Sequence, residues 1–234
     1  VARRLATHIL TAAPGSYPLP SDKLVVMGHG IETDLFTPDP EENNPPDLIL
    51  VGRLAQIKGQ DRLLQAASRV MARGDSGPFR VVLVGGGVPT EPDYRMQLEA
   101  SASILSPSPN VWFCGPLPHD QTARLIRRSA IAVNLSPPGL FDKAALETMI
   151  AGKPTLVMNP DFLPLLGESA DLLYVPYKAS DDTLADHLAH LLRMSPQERF
   201  ALGSQLRERT IMAHSLDRLM DRLVTFMHEV ANHA

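Results

Sequence analysis

Arg53 and Lys58 lie in Gly52-Arg53-Leu54-Ala55-Gln56-Ile57-Lys58-Gly59, directly after the apolar residues 48–51. A guanidinium and an ammonium just past a strand and near a helix N-terminus favour a phosphate, because first-turn amides and the helix dipole add to their field. An exposed cation pair with no ligand would sit unfavourably at that end of a dipole, which tilts the reading towards function. The loop is not a Walker A sequence, since no Gly-Lys-Ser/Thr follows four spacers, and Gly85-Gly86-Gly87 lacks the further glycine of the dinucleotide fingerprint, with Thr90 in its place. Those glycines read better as a tight turn. Gly115-Pro116-Leu117-Pro118-His119 is a stiff loop that exposes backbone; it could cradle a flat base or simply turn. After residues 131–135 comes a stretch from Ser136 to Glu147, with a helix expected to start near Asp142, whose amides could hold an anion. No His, Cys or carboxylate cluster has metal-ligand spacing, so no metal and no cofactor are expected.

These loops need a scaffold, and six apolar runs supply it: 48–51, 81–84, 111–114, 131–135, 155–158 and 172–175. They are near-continuous instead of alternating, as strands covered on both faces are, and most are separated by enough chain for a helix. That predicts an α/β fold, a Rossmann-like doubly wound parallel sheet of about six strands with helices on both faces. Leu63, Leu64, Ala67, Val70 and Met71 share a helical face that Gly74 should end, and Ser195-Pro196-Gln197-Glu198 should open another helix. A further stripe runs through Leu216, Leu219, Met220, Leu223, Phe226, Met227 and Val230, longer than a lone surface helix needs, so it should dock on something. Residues 37–47 read as a linker or exposed loop, and 1–36, with a strand-like 23–27, as a hinge leading into a domain spanning 37–234. Val1 in place of Met suggests an excised fragment.

With 44% apolar residues, the chain can bury a full core. A net charge of −4 gives no bulk attraction to nucleic acid or to an anionic membrane. The single cysteine, Cys114, excludes an internal disulfide and reads as a structural thiol. There is neither an apolar stretch near eighteen residues nor a signal-peptide core, which makes a cytoplasmic setting the default. Arg124, Arg127 and Arg128 share one predicted helix; a solvated face is favoured there over contact with anionic lipid.

The ordered segments resemble the C-terminal domain of glycosyltransferase family 4, one half of a GT-B fold made of two facing Rossmann-like domains. Met27-Gly28-His29-Gly30-Ile31-Glu32 through Phe36-Thr37-Pro38 is similar to the family's "ipNGiD…F.P", with His29 in place of asparagine. Val51-Gly52-Arg53-Leu54 with Lys58-Gly59 is similar to "vGRl…KG", and Leu146-Glu147-Thr148-Met149-Ile150-Ala151-Gly152-Lys153-Pro154 to "lEAMAcGkPvv". The resemblance implies a retaining transferase of hexosyl type that moves a sugar from a nucleoside diphosphate donor. Gly52, Arg53 and Lys58 would meet the diphosphate, with Arg53 and Lys58 as the catalytic pair that neutralises the leaving group. Glu147 would hold the ribose, Leu117 and His119 the base, and Lys143 and Ala144 the phosphates and the sugar.

The first carboxylate of the family's Glu-x7-Glu pair falls on Gly139. A branch reading "G..DK..LEAMA" is similar to 141–147 and places Asp142 or Lys143 in part of that role. The "GGiPE" segment is replaced by Asn159-Pro160-Asp161-Phe162-Leu163-Pro164, so sugar recognition does not carry over. The resemblance further implies a separate acceptor-binding domain, peripheral contact with the cytoplasmic face of a membrane, and cell-surface polysaccharide or glycolipid synthesis. The fragment alone should bind donor without turnover. Rival readings are a noncatalytic sugar-nucleotide sensor or partner, favoured by the lost glutamate, and a sugar-nucleotide epimerase, against which the LExMxxGKP match counts.

Overall fold

A computed structural model describes residues 5–74, 76–104 and 111–232. Two strands, β1 (Ile9–Thr11) and β2 (Leu24–Val26), pair in parallel as a small sheet. The main sheet contains β3 (Asp47–Val51), β4 (Arg80–Val84), β5 (Val111–Gly115), β6 (Ile131–Asn134) and β7 (Thr155–Val157). All its pairings are parallel, in the order β5-β4-β3-β6-β7. The chain thus builds outwards from β3 to β5, then returns to the other side of β3. That reversal opens a crevice between the carboxyl ends of β3 and β6, the place where open α/β sheets bind ligands.

The helices are α1 (Gln60–Arg73), α2 (Tyr94–Ile104), α3 (His119–Arg128), α4 (Lys143–Ile150), α5 (Leu163–Leu166), α6 (Ala170–Leu173), α7 (Asp181–Arg193), α8 (Pro196–His214) and α9 (Leu216–Asn232). The helical crossovers that parallel strands require put α1 and α2 on one face of the sheet and α3 and α4 on the other; α7 packs on α1, and α8 on α4. Gly74 stops α1 in the left-handed conformation at φ 65°, and Ser195 with Glu198 closes a full capping box on α8, both as the sequence predicts. On α1 the buried stripe takes Ala66 and leaves Met71 38% exposed.

Among the described residues the main sheet has five strands, where about six are expected from the sequence. Residues 170–173 of the sixth apolar run and its lead-in coil into α6, and Tyr174 makes a single bridge to Val157. Val175 N–H donates to the Val157 carbonyl at 3.0 Å, and Pro176, with no N–H, stops the pairing there. The predicted apolar stripe of α9 is present, yet no residue of that helix is buried.

Residues 9–36 are bound closely to the rest of the chain. Phe36 is fully buried, Ile31 bridges Ser215, and Arg222 donates to the Met27 carbonyl at 2.8 and 3.1 Å. The loop 37–47 is likewise tied down: Asn43 N–H donates to the Arg128 carbonyl, and Glu42 pairs with Arg199. At the amino end of the central strand β3, Asp47 receives two bonds from Arg80 of β4, whose guanidinium lies 4.5 Å over the half-exposed Trp112 ring on the edge strand β5. Cys114 is half-buried against the core, where burial, with Asp47 adding, raises its thiol pKa.

Two helices meet at backbone distance where Gly203 of α8 crosses the turn after α4. A Cβ on Gly203 would stand 1.8 Å from the Gly152 carbonyl oxygen. In an exposed helix, Gly to Ala stabilises by about 1 kcal/mol. Here the overpacking penalty of about 1–3 kcal/mol or more wins, so Gly203→Ala should lower the urea midpoint, where a solvated helix position would raise it.

Candidate functional site

The loops after β3, β4 and β5 are stitched edge to edge. Gly52 N–H donates to the Val84 carbonyl, Leu54 N–H to that of Gly86, and Gly85 N–H to that of Gly115, at 2.8–2.9 Å. At Gly85, φ is +145° and a Cβ would fall 2.0 Å from the Gly52 carbonyl oxygen. The triple glycine is therefore a backbone contact between loops, consistent with its reading as a turn.

After Leu54 the chain makes a 3-10 turn, Gln56–Lys58, and enters α1 through Gly59 at φ 70°. A Cβ on Gly59 would lie 2.8 Å from that of Leu135, so the glycine brings this loop against the one following β6. Lys58 crosses that contact. Its ammonium pairs with Asp142 and donates to Ser136 Oγ at 3.3 Å.

Asp142 is the N-cap of α4; its Oδ1 accepts from Ala144 N–H at 3.3 Å. Its Oδ2 also accepts from Asn134 Nδ2 at 3.2 Å and Ser136 Oγ at 3.1 Å. Burial pushes the carboxyl pKa up, but Lys58, Asn134 and Ser136 outweigh it and hold the group below its ordinary value. Asn134 and Ser136 were missed in the sequence, although an asparagine inside the apolar run 131–135 is the kind of exception that signals a purpose.

Lys58, Asp142 and Lys143 line one cleft of about 410 Å³ together with His29, Gly139 and Phe141. His29 stacks flat on Phe141, with centroids 5.7 Å apart, and its Nε2 lies 3.0 Å from the Phe141 carbonyl. Behind it, His214 Nδ1 accepts from His29 N–H. Burial, with His29 and Arg222 adding, lowers the His214 pKa to about 4.

The other expected residues stand on neighbouring loops or on α4, outside the lining of that cleft. Gly52 is in the stitched loop, and Arg53 is exposed, with no side-chain polar partner among the described residues. Leu117 packs on the core, and Ala144 N–H is already taken by Asp142. Glu147, on α4, lies 3.2 Å from His119 Nε2, and the His119 ring meets Phe36 edge to face at 5.2 Å. Lys153 belongs to the opposite, amino end of the sheet, just before β7. It is 5% exposed, donates to the Asp39 carbonyl, and burial lowers its pKa to about 8. Arg124, Arg127 and Arg128 are engaged with Asp120, Thr37 and Glu41. Among the described residues, no helix is long and apolar enough to cross a membrane, and no group of three or more His, Cys, Asp or Glu could hold a metal ion.

Two outcomes are expected from this geometry. Asp142→Asn strands a Lys58 ammonium whose pair is only 14% and 16% exposed, and should destabilise the protein by about 3 kcal/mol in chemical denaturation at neutral pH. His214 stays neutral in the fold while the unfolded chain protonates near pH 6.5, so stability falls as pH drops from 6.5 towards 4. The loss due to this residue should reach about 2 kcal/mol by pH 4.5 and be absent from His214→Asn, measured as the difference in acid sensitivity between the two proteins.

Residues 45–194 match the Glycosyl transferases group 1 family. A D-inositol 3-phosphate glycosyltransferase of Corynebacterium aurimucosum is 27% identical over 80% of this chain and 47% of its own length. One of Acidothermus cellulolyticus is 30% identical over 66% and 38%. The chain spans less than half the length of these relatives. Among solved structures, Anabaena HepE in complex with UDP and glucose superposes with a TM-score of 0.81 at 16% identity, covering 97% of this chain and 65% of that one. The C-terminal domain of a group 1 glycosyl transferase from Francisella tularensis gives 0.67 at 16% identity, covering 80% of this chain and all of that one. The fold is therefore that of one Rossmann-like half of the GT-B transferases, and the chain belongs to the Glycosyl transferases group 1 family.

Proposed function

We propose that this chain is the donor-binding C-terminal domain of a family 4 retaining glycosyltransferase, with residues 1–36 as the hinge to an acceptor-binding domain and 37–234 as the domain proper. The observation that carries the reading is the convergence of Lys58, Asp142 and Lys143 in one cleft, from two loops that diverge where the strand order reverses. A sugar nucleoside diphosphate fits that place. Lys58 and Arg53 neutralise the diphosphate as it leaves, Asp142 holds the Lys58 ammonium in position, and Lys143 adds charge at the mouth of α4. Glu147, held by His119, takes the ribose hydroxyls, and the loop carrying Leu117 takes the base. The relatives named as D-inositol 3-phosphate glycosyltransferases support glycosyl transfer, and the UDP and glucose bound in HepE support a UDP-type donor.

Retention at the anomeric carbon implies attack from the face that the diphosphate leaves, with the departing phosphate accepting the proton of the incoming hydroxyl. The intact enzyme would work in the cytoplasm, at a membrane face, in cell-surface polysaccharide or glycolipid synthesis. This chain alone would bind donor without transferring it.

Thermal shift with UDP, UDP-glucose, GDP-mannose and ADP-glucose tests the reading. A true ligand at about 100 times its Kd adds roughly 2.7 kcal/mol of apparent stability. Arg53→Ala and Lys58→Ala should each weaken it at least tenfold. No shift with any of the four, or a shift indifferent to both substitutions, would overturn the proposal.

A further inference from the structure

The loop after β7 holds a donor and an acceptor with no hydrogen-bond partner among the described residues: Asn159 Nδ2 and Asp161 Oδ2, both out of contact with solvent. Asn159 is fully buried. Its Oδ1 caps the 3-10 turn Pro160–Phe162 by accepting from Asp161 N–H at 3.0 Å, which fixes the amide and leaves Nδ2 unused. An unmet buried polar group costs about 1–3 kcal/mol, and a carboxylate oxygen more, so both atoms call for a partner that the described side chains do not supply.

The surroundings of Asp161, two residues on from Asn159, lead to the cleft. The turn Pro14–Ser16 lies against Asp161: Gly15 N–H donates to Oδ1 at 3.3 Å, and a methyl on Gly15 would stand 2.5 Å from Oδ2. The same turn borders the cleft, which Ala12 and Ser16 line. The Gly15 carbonyl oxygen is 3.4 Å from where a side chain on Gly139 would begin. Gly139 is the cleft-lining position where the family's first carboxylate is absent, and its φ of +91° disfavours any side chain there. Through Gly15, Asp161 brings a carboxylate to the neighbourhood of that gap.

We propose that Asn159 and Asp161 recognise the hydroxyls of the transferred sugar, taking over from the glutamate missing at Gly139; this rests on the donor-site reading above. The chemistry selects the ligand. An anion would be repelled by Asp161, and an ammonium would find a donor facing it at Asn159. A sugar hydroxyl accepts from Nδ2–H and donates to Oδ2, satisfying both. Entry requires the Pro14–Ser16 turn to release its bond to Asp161 Oδ1, so the turn and the sugar compete for the carboxylate.

Isosteric swaps test this by calorimetry on the same chain, with UDP, GDP and ADP each compared with its sugar conjugates UDP-glucose, UDP-N-acetylglucosamine, GDP-mannose and ADP-glucose. Asn159→Asp keeps the capping oxygen and removes the donor; Asp161→Asn keeps the Gly15 bond and can present a donor in place of the acceptor. Each single variant should bind the bare nucleoside diphosphate within twofold of wild type and the preferred conjugate at least tenfold more weakly. The double variant, which again offers one donor and one acceptor, should recover part of that loss. Equal weakening of nucleotide and conjugate, no change in either, or a wild type that binds a nucleoside diphosphate but none of its conjugates would overturn the role of the pair. A wild type that binds no nucleoside diphosphate at all would instead overturn the donor site itself.

Discussion

The ion pair between Lys58 and Asp142 spans the point where the sheet reverses direction, and the surrounding geometry is arranged to allow it. Taking two charges out of water costs more than their attraction returns unless every remaining polar site is also met. Here the carboxylate accepts from Asn134, Ser136 and the Ala144 amide as well as from the ammonium. One side chain thereby starts a helix, holds the end of a strand and anchors a cation at the mouth of the crevice. Gly59, pressed on Leu135, permits the approach of the two loops; a Cβ there would push them apart. For an incoming diphosphate, the consequence is that Lys58 is preorganised and also partly neutralised, so the exposed Arg53 and Lys143 are the cations with more freedom to meet new charge.

The recognisable motifs divide between the two ends of the sheet. The Gly-Arg and Lys-Gly elements shape the carboxyl end. Gly152 and Lys153, in the second of these motifs, serve the amino end: the Gly152 carbonyl is met at backbone contact by Gly203 of α8, and Lys153 sits buried beneath the 37–47 loop. The resemblance therefore mixes the binding role proposed for Glu147 with architecture six residues later, and only coordinates separate the two.

Much of the scaffold was legible because its signals are local. Continuous apolar runs mark strands covered on both sides, and Gly74 and Ser195 mark helix boundaries by their own chemistry. What failed depended on distant partners. The run at 172–175 has the composition of a strand, but α6 uses its first half. The stripe on α9 foretold the helix and not its exposure, because periodicity describes one partner of an interface. In the site, the chemistry of Arg53 and Lys58 could be read from type and position, whereas Ser136, which accepts from Lys58, and Asn134, which donates to the Lys58 partner Asp142, lie at and just past the end of a strand more than seventy residues away. Gly139 shows the reverse: the absent carboxylate is plain in the sequence, and the positive φ that makes glycine the natural occupant is visible only in the backbone.

Trp112, the single tryptophan, stands on the edge strand β5 with Arg80 over its ring, on a strand whose nearest cleft-lining neighbours lie across β4 and β3. Its emission therefore follows the integrity of the sheet margin and the Arg80–Asp47 clasp. Unfolding of that margin frees the ring from the guanidinium, which makes the native fluorophore a reporter of this edge.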